Sequence, residues 1–181
     1  MASNPAIALR LQSTRLVGRV AELGSLGITT RMSETSPYLN LTSQDIDFSW
    51  MRGRAVVEVA FLEPDYWDFV VGPKLCIRAE CPWRIIRDSR IALSSDDHGQ
   101  KFGLPAHIDA AAAATELLAR ATISAVQLRE GTADLLIDFS GGLRLEIIPL
   151  SSGYESWQWT DPTGHSFFVQ GGGNIVRCPI P

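Results

Sequence analysis

The segment Asp134–Gln170, DLLIDFSGGLRLEIIPLSSGYESWQWTDPTGHSFFVQ, alternates apolar and polar residues in short runs broken by glycine-bearing turns. A period of two sends successive side chains to opposite faces of a strand. The segment is therefore read as three to four short antiparallel strands. Its register follows from burial. A two-residue Gly141-Gly142 turn would set Phe139 against Arg144 and Ile137 against Glu146, mixing core and solvent on one face. A three-residue loop, Ser140-Gly141-Gly142, pairs Phe139 with Leu143, Ile137 with Leu145 and Leu135 with Ile147. A slip of one residue moves every apolar side chain to the wrong face, so the second register is expected. It also sets Asp138 against Arg144, and glycine supplies the positive φ such loops need.

A weaker copy lies 70 residues earlier in Asp65–Ile77, DYWDFVVGPKLCI. Asp68-Phe69, Gly72, Leu75 and Ile77 match Asp138-Phe139, Gly142, Leu145 and Ile147. The same three-residue loop, Val70-Val71-Gly72, would pair Phe69 with Pro73, Trp67 with Leu75 and Asp68 with Lys74. A second echo sets Ser95–Gly99, ending in Phe102, against Thr160–Gly164, ending in Phe167. Residues 65–103 and 133–171 are thus expected to be two related hairpin units.

The segment between them, 104–121, reads as a helix from Pro105 to Arg120. Proline stands near its start, five alanines and Leu117-Leu118 follow, and small side chains suit close packing on a sheet. A shorter helix is expected from Ser13 to Leu23. Arg54–Leu62 alternates as a strand with Ala55, Val57, Val59 and Phe61 on one side, and 83–93 adds one or two more strands. Strands, helix, strands predict an α+β single domain over 1–181: an antiparallel sheet built from the two hairpin units, one long helix packed across it, and a short N-terminal helix.

The chain has 181 residues, 45% apolar and 20% charged, ample for a core. Its net charge of −4 disfavours nucleic acid as partner, since phosphate recognition wants a basic surface. No apolar run reaches the length of a membrane helix, and Arg10, Arg15 and Arg19 interrupt the N-terminal apolar residues, so no membrane partner and a cytoplasmic location are expected. Cys76, Cys81 and Cys178 are an odd set without Cys-x-x-Cys spacing, read as inert thiols.

No motif fixes a reaction. Asp96-Asp97-His98 has the residue types of a metal site, but a solvated turn bonding its own backbone is preferred. His107-x-Asp109 reads as helix-start solvation. Gly171-Gly172-Gly173 has no helix pattern behind it and reads as a flexible loop. No metal and no cofactor are expected. The candidate binding residues are Tyr154, Glu155, Trp159, Asp161 and His165. In a strand Tyr154 and Glu155 fall on opposite faces, and Glu155 shares its face with Trp157 and Trp159. Trp157 is assigned to the core.

Phe139-Ser-Gly-Gly-Leu143-Arg-Leu145, followed by Ser152-Gly153-Tyr154-Glu155-Ser156-Trp157, resembles a family of small uncharacterised bacterial proteins with a strand-borne F-x-x-G-x-x-L, then Y-E-x-W and a glycine-rich tail. The resemblance rests on short motifs in the last third of the chain. It implies an immunity protein of a polymorphic toxin system, that is, a cytoplasmic binding protein rather than an enzyme. Two readings stay open. One is a protein-binding module whose partner, a toxin, presents a basic surface. The alternative is a small-molecule-binding or hydrolytic domain with a cleft near Glu155 and His165, using Asp161 as well.

Overall fold

The computed structural model describes residues 39–178 except Lys74. The expected N-terminal helix lies outside the described residues. Within them are twelve strands, all pairings antiparallel, and one α-helix. The strands are β1 (Leu39–Leu41), β2 (Glu58–Leu62), β3 (Tyr66–Gly72), β4 (Leu75–Ala79), β5 (Trp83–Arg87), β6 (Arg90–Ser94), β7 (Ile123–Leu128), β8 (Leu135–Phe139), β9 (Leu143–Ile147), β10 (Trp157–Thr160), β11 (Ser166–Gln170) and β12 (Asn174–Arg177). The helix α1 is Ala110–Leu118.

They form two sheets rather than one, ordered β1-β12-β11-β10-β4-β3-β2 and β6-β5-β9-β8-β7. One apolar core draws on both. Each half of the chain gives a meander to one sheet and its following strands to the other. Thus β2-β3-β4 joins β10-β11-β12 through the β4–β10 ladder, and β7-β8-β9 joins β5-β6 through β9–β5. The inner faces alternate as burial demands, with Trp67, Phe69 and Val71 of β3 and Leu135, Ile137 and Phe139 of β8 all buried. Trp83 of β5 bridges the layers, its ring nearly perpendicular to Phe69 at 5.5 Å and tilted 76° to Trp67 at 4.9 Å. Its indole N–H is buried without a hydrogen-bond partner among the described residues.

The β8–β9 hairpin has the expected register, with Leu135 opposite Ile147, Ile137 opposite Leu145, and Asp138 opposite Arg144 around the loop Ser140–Gly142. The Arg144 Nε donates to Asp138 at 2.6 Å. The earlier hairpin does not follow it. Phe69 lies opposite Ile77, Trp67 opposite Ala79 and Asp68 opposite Arg78, which donates to that carboxylate at 2.7 and 2.8 Å. Lys74, the expected partner of Asp68, lies outside the described residues. A bulge between Val70 and Gly72 lets the strands run on past the expected loop, so the match at 70 residues does not mark equivalent ladder positions. The hairpin that shares the Ser140–Gly142 geometry is β11–β12. Its turn Gly171–Gly173 joins Gln170 to Asn174, with φ of +75° and +80° at its last two glycines against +74° and +75° at Gly141 and Gly142.

Gly171–Gly173 is therefore a tight turn and not a flexible loop. A Cβ on Gly171 would fall 2.2 Å from Gly153 N, and one on Gly173 2.2 Å from Gly131 O. Backbone from two other loops occupies the space a side chain would need. The second echo fails as well. Ser95–Asp97 is a 3-10 turn after β6, whereas Asp161–Gly164 is the turn inside the β10–β11 hairpin.

The helix is shorter than expected. Residues 105–109 are not helical, because Gly99 N–H bonds Ile108 O, Ile108 N–H bonds Gln100 O, and His107 Nδ1 lies 2.6 Å from Gly99 O. Asp109 is the N-cap, accepting from Ala112 N at 3.1 Å. Nor does the helix cross a sheet. It packs against β2 and β6, the edge strands of the two sheets, through Ala110, Ala114 and Leu118. Thr115 Oγ1 accepts from Val59 N–H at 2.8 Å, filling a donor on the open edge of β2. The expected strand face of β2 also shifts. Val57 N–H bonds Val70 O while Glu58 pairs with Val70, so Val56 and Val59 turn inward and Val57 outward.

Candidate functional site

The five residues singled out from sequence do not form one site. Trp159 is 3% exposed and belongs to the core. Its ring stacks on Phe167 at 4.5 Å and on Trp157 at 4.9 Å, and lies 5.2 Å from Phe48. Trp157 is buried too and donates its indole N–H to Ala133 O at 3.0 Å. Asp161 and His165 close the β10–β11 turn. Asp161 Oδ1 accepts from Thr163 N, Thr163 Oγ1 and His165 N at 2.9, 2.6 and 3.0 Å. Burial pushes the Asp161 carboxyl up, but the Thr163 hydroxyl and the two N–H donors outweigh it and hold it below the usual aspartate value. Thr163 Oγ1 lies 2.7 Å from His165 Nδ1, so both titratable groups are occupied within their own loop.

Tyr154 and Glu155 stand at the other end of β10, before its first residue. Tyr154 is 81% exposed, and Leu150 in the same loop is 75% exposed. Ser151 Oγ accepts from Gly153 N and Tyr154 N at 3.1 and 2.9 Å, and Ser151 O accepts from Gly172 N at 3.0 Å. The loop is thus pinned to the glycine turn while presenting these side chains to solvent. Glu155 and His165 flank opposite ends of β10, and neither lines any of the main clefts among the described residues.

The chain does build a cleft, of about 500 Å³, from four segments that sequence reading had not joined. Phe61 lies near the end of β2, Asp65 and Trp67 come from the β2–β3 turn and β3, Glu80 to Pro82 link β4 to β5, and Ser95, Asp96 and His98 follow β6. The floor is aromatic. Phe61 lies 4.8 Å from Trp67 and 4.6 Å from the His98 ring, and His98 stands nearly perpendicular to Trp67 at 5.4 Å. His98 Nδ1 accepts from Ala110 N at 3.2 Å, which ties the cleft wall to the start of α1 and leaves the proton of the neutral ring on Nε2.

Three carboxylates, Asp65, Glu80 and Asp96, line the cleft, and among the described residues no lysine or arginine does. The nearby guanidinium of Arg78 is held bidentately by Asp68. Partial burial raises the Glu80 carboxyl, and the charge of Glu155 raises it further. Glu80 N–H bonds Ser156 O at 2.8 Å, so the exposed Tyr154-Glu155 loop adjoins the cleft. Cys81 is pushed up to about 12, mainly by burial, and is a poor nucleophile. Ser95 Oγ accepts from Trp83 N at 3.3 Å and lies 3.4 Å from Asp96, while Asp97 closes the turn by accepting from Ser94 N at 2.7 Å. The Asp96-Asp97-His98 run is thus a self-bonded turn that also places two side chains in the cleft. Its residue types were the one sequence signal for the site; Phe61 and Trp67 read simply as core.

Among the described residues no helix is long and apolar enough to cross a membrane. No family model, no curated protein and no solved structure matches this chain.

Proposed function

We propose that this chain is a non-enzymatic protein-binding module whose partner presents a basic surface. The observation that carries this reading is the continuity of negative charge from Glu155, on an exposed and pinned loop, into a cleft lined by Asp65, Glu80 and Asp96 with no lining cation among the described residues. Solvent-exposed Tyr154 and Leu150 flank that charge and offer apolar contact area beside it. Such a surface speeds encounter with a basic partner and disfavours acidic ones. Under the resemblance noted above the partner is a bacterial toxin and this chain its cytoplasmic antidote.

The test is to isolate the protein that copurifies with the tagged full chain, then titrate it against the wild type and Glu155→Gln. The variant should bind more weakly, the loss should shrink at high salt, and thermal stability should stay unchanged. Unchanged affinity with lowered stability would assign Glu155 a purely structural role. Catalytic turnover of a small substrate by the purified chain would overturn the module reading.

A further inference from the structure

We infer that His98 is a pH-sensitive latch: its neutral imidazole holds the Gly99–Asp109 loop to the start of α1, and its protonation releases them. The inference goes beyond the binding reading and does not depend on it. It rests on the direction of one hydrogen bond. Ala110 N–H, the first amide of α1, lies 3.2 Å from His98 Nδ1. A backbone N–H can only donate, so Nδ1 must present a lone pair. An imidazolium carries hydrogen on both ring nitrogens and has no lone pair to offer, so turning the ring over does not restore the bond. His98 can be charged or can hold Ala110, but not both. His107, in the same loop, has the opposite requirement. Its Nδ1 lies 2.6 Å from Gly99 O, which can only accept, so that nitrogen carries hydrogen and keeps its bond when the ring is protonated.

The loop is held against strain. Phe102 has a φ of +43°, a region unfavourable for a bulky side chain. Gly99 N–H to Ile108 O at 2.9 Å and Ile108 N–H to Gln100 O at 2.8 Å close the loop at its base, beside the His98 bond. At its tip Phe102 and Leu104 are 69% and 49% exposed, so the latch governs how these two apolar side chains are presented. The groups around His98 pull its proton both ways. Asp65 of the β2–β3 turn, Glu80 of the β4–β5 link and Asp96 of its own turn line the same cleft and attract an imidazolium. Asp97 is engaged by Ser94 N at 2.7 Å, and Asp109 by Ala112 N at 3.1 Å. Burial pushes the Cys81 thiol up to about 12, so it stays neutral. From β2 and β3, Phe61 and Trp67 meet the ring at 4.6 and 5.4 Å. Against the charge stand the positive end of α1 and the Ala110 N–H itself.

The experiment follows the ¹⁵N-labelled full chain by NMR from about pH 8 to about pH 5, the range in which histidine changes charge. Long-range ¹H–¹⁵N spectra read the protonation of each ring nitrogen. At the upper end His98 should have a bare Nδ1 and His107 a protonated one. As His98 gains its proton, the protection factor of the Ala110 amide should fall by roughly tenfold, the loss of about one hydrogen bond. The amides of Gly99–Asp109 should shift with the same midpoint. His98→Gln offers an oxygen acceptor that does not titrate, and should flatten the Ala110 response while His107 still titrates. Hydrogen on His98 Nδ1 at about pH 8, a ring still neutral at about pH 5, or Ala110 protection unmoved while His98 protonates would overturn the inference. So would a pH response undiminished in His98→Gln. The first three outcomes are read on the wild type, so they decide the matter even if the variant does not fold.

Discussion

Replacing Thr115 by valine isolates the contact that seals the open edge of β2. The shapes are nearly equal, so the substitution chiefly removes a hydroxyl. In the wild type that hydroxyl accepts from Val59 N–H at 2.8 Å and sits 2.9 Å from Ala111 O, to which it donates. Val59 is buried and its N–H points away from β3, so water is a poor substitute acceptor. A buried donor left without a partner costs about 1–3 kcal/mol. The added methyl returns at most about 0.8 kcal/mol of apolar burial, less at this half-buried position. The expected net loss is about 1–2 kcal/mol, or roughly 2–8 °C in Tm for a domain of this size. Thr115→Ser keeps the acceptor and should cost less than the valine. Urea denaturation of the three proteins reads the energies, and hydrogen exchange reads the site itself. Val59 should lose protection in the valine variant and keep it in the serine variant. If Val59 exchange is unchanged by valine, or serine costs as much, the edge is not held by this bond.

Other outcomes follow from the same structure. Leu118→Ala should destabilise by about 2–5 kcal/mol because Leu118 is fully buried, and half-buried Leu117→Ala by distinctly less, as denaturation midpoints will show. Gly171→Ala should cost roughly 3 kcal/mol or more, since its Cβ meets the Gly153 backbone at 2.2–2.4 Å; Gly141→Ala, at φ +74° with open space around it, should cost only about 1–2 kcal/mol of backbone strain, measured the same way. Glu80 has a folded pKa raised above 4.5 by partial burial and Glu155, so the native state holds its proton longer than the unfolded chain does. Its ionisation therefore lowers stability as pH rises from about 4.5 through the raised value. Glu80→Gln should gain stability relative to wild type at about pH 7 and not at about pH 3.5, in paired urea titrations; an equal difference at both would contradict the sign.

What the sequence determined by itself is local. The β8–β9 register follows from alternation across one short loop, because a slip there exposes Leu135, Ile137 and Phe139 together. The strand-like stretches and the self-bonded Asp96-Asp97 turn were legible for the same reason: each depends on neighbours a few residues away. The start of α1 was not legible, because His107 and Ile108 spend their bonding groups on the Gly99-Gln100 backbone. The β3–β4 register was not, because a bulge shifts the count and nothing in the alternation marks it. Only the tertiary structure decided that the chain makes two sheets, since the β4–β10 and β5–β9 ladders join residues far apart in the chain, such as Trp157 with Ala79 and Trp83 with Ile147. It alone decided that Trp159, placed by sequence beside an exposed carboxylate, is covered by Phe48 and Phe167. The cleft belongs to the same class. Phe61, Glu80, Asp96 and His98 carry no joint signature along the chain, and become one site because sheet pairing and the crossover from β4 to β5 bring four segment ends together.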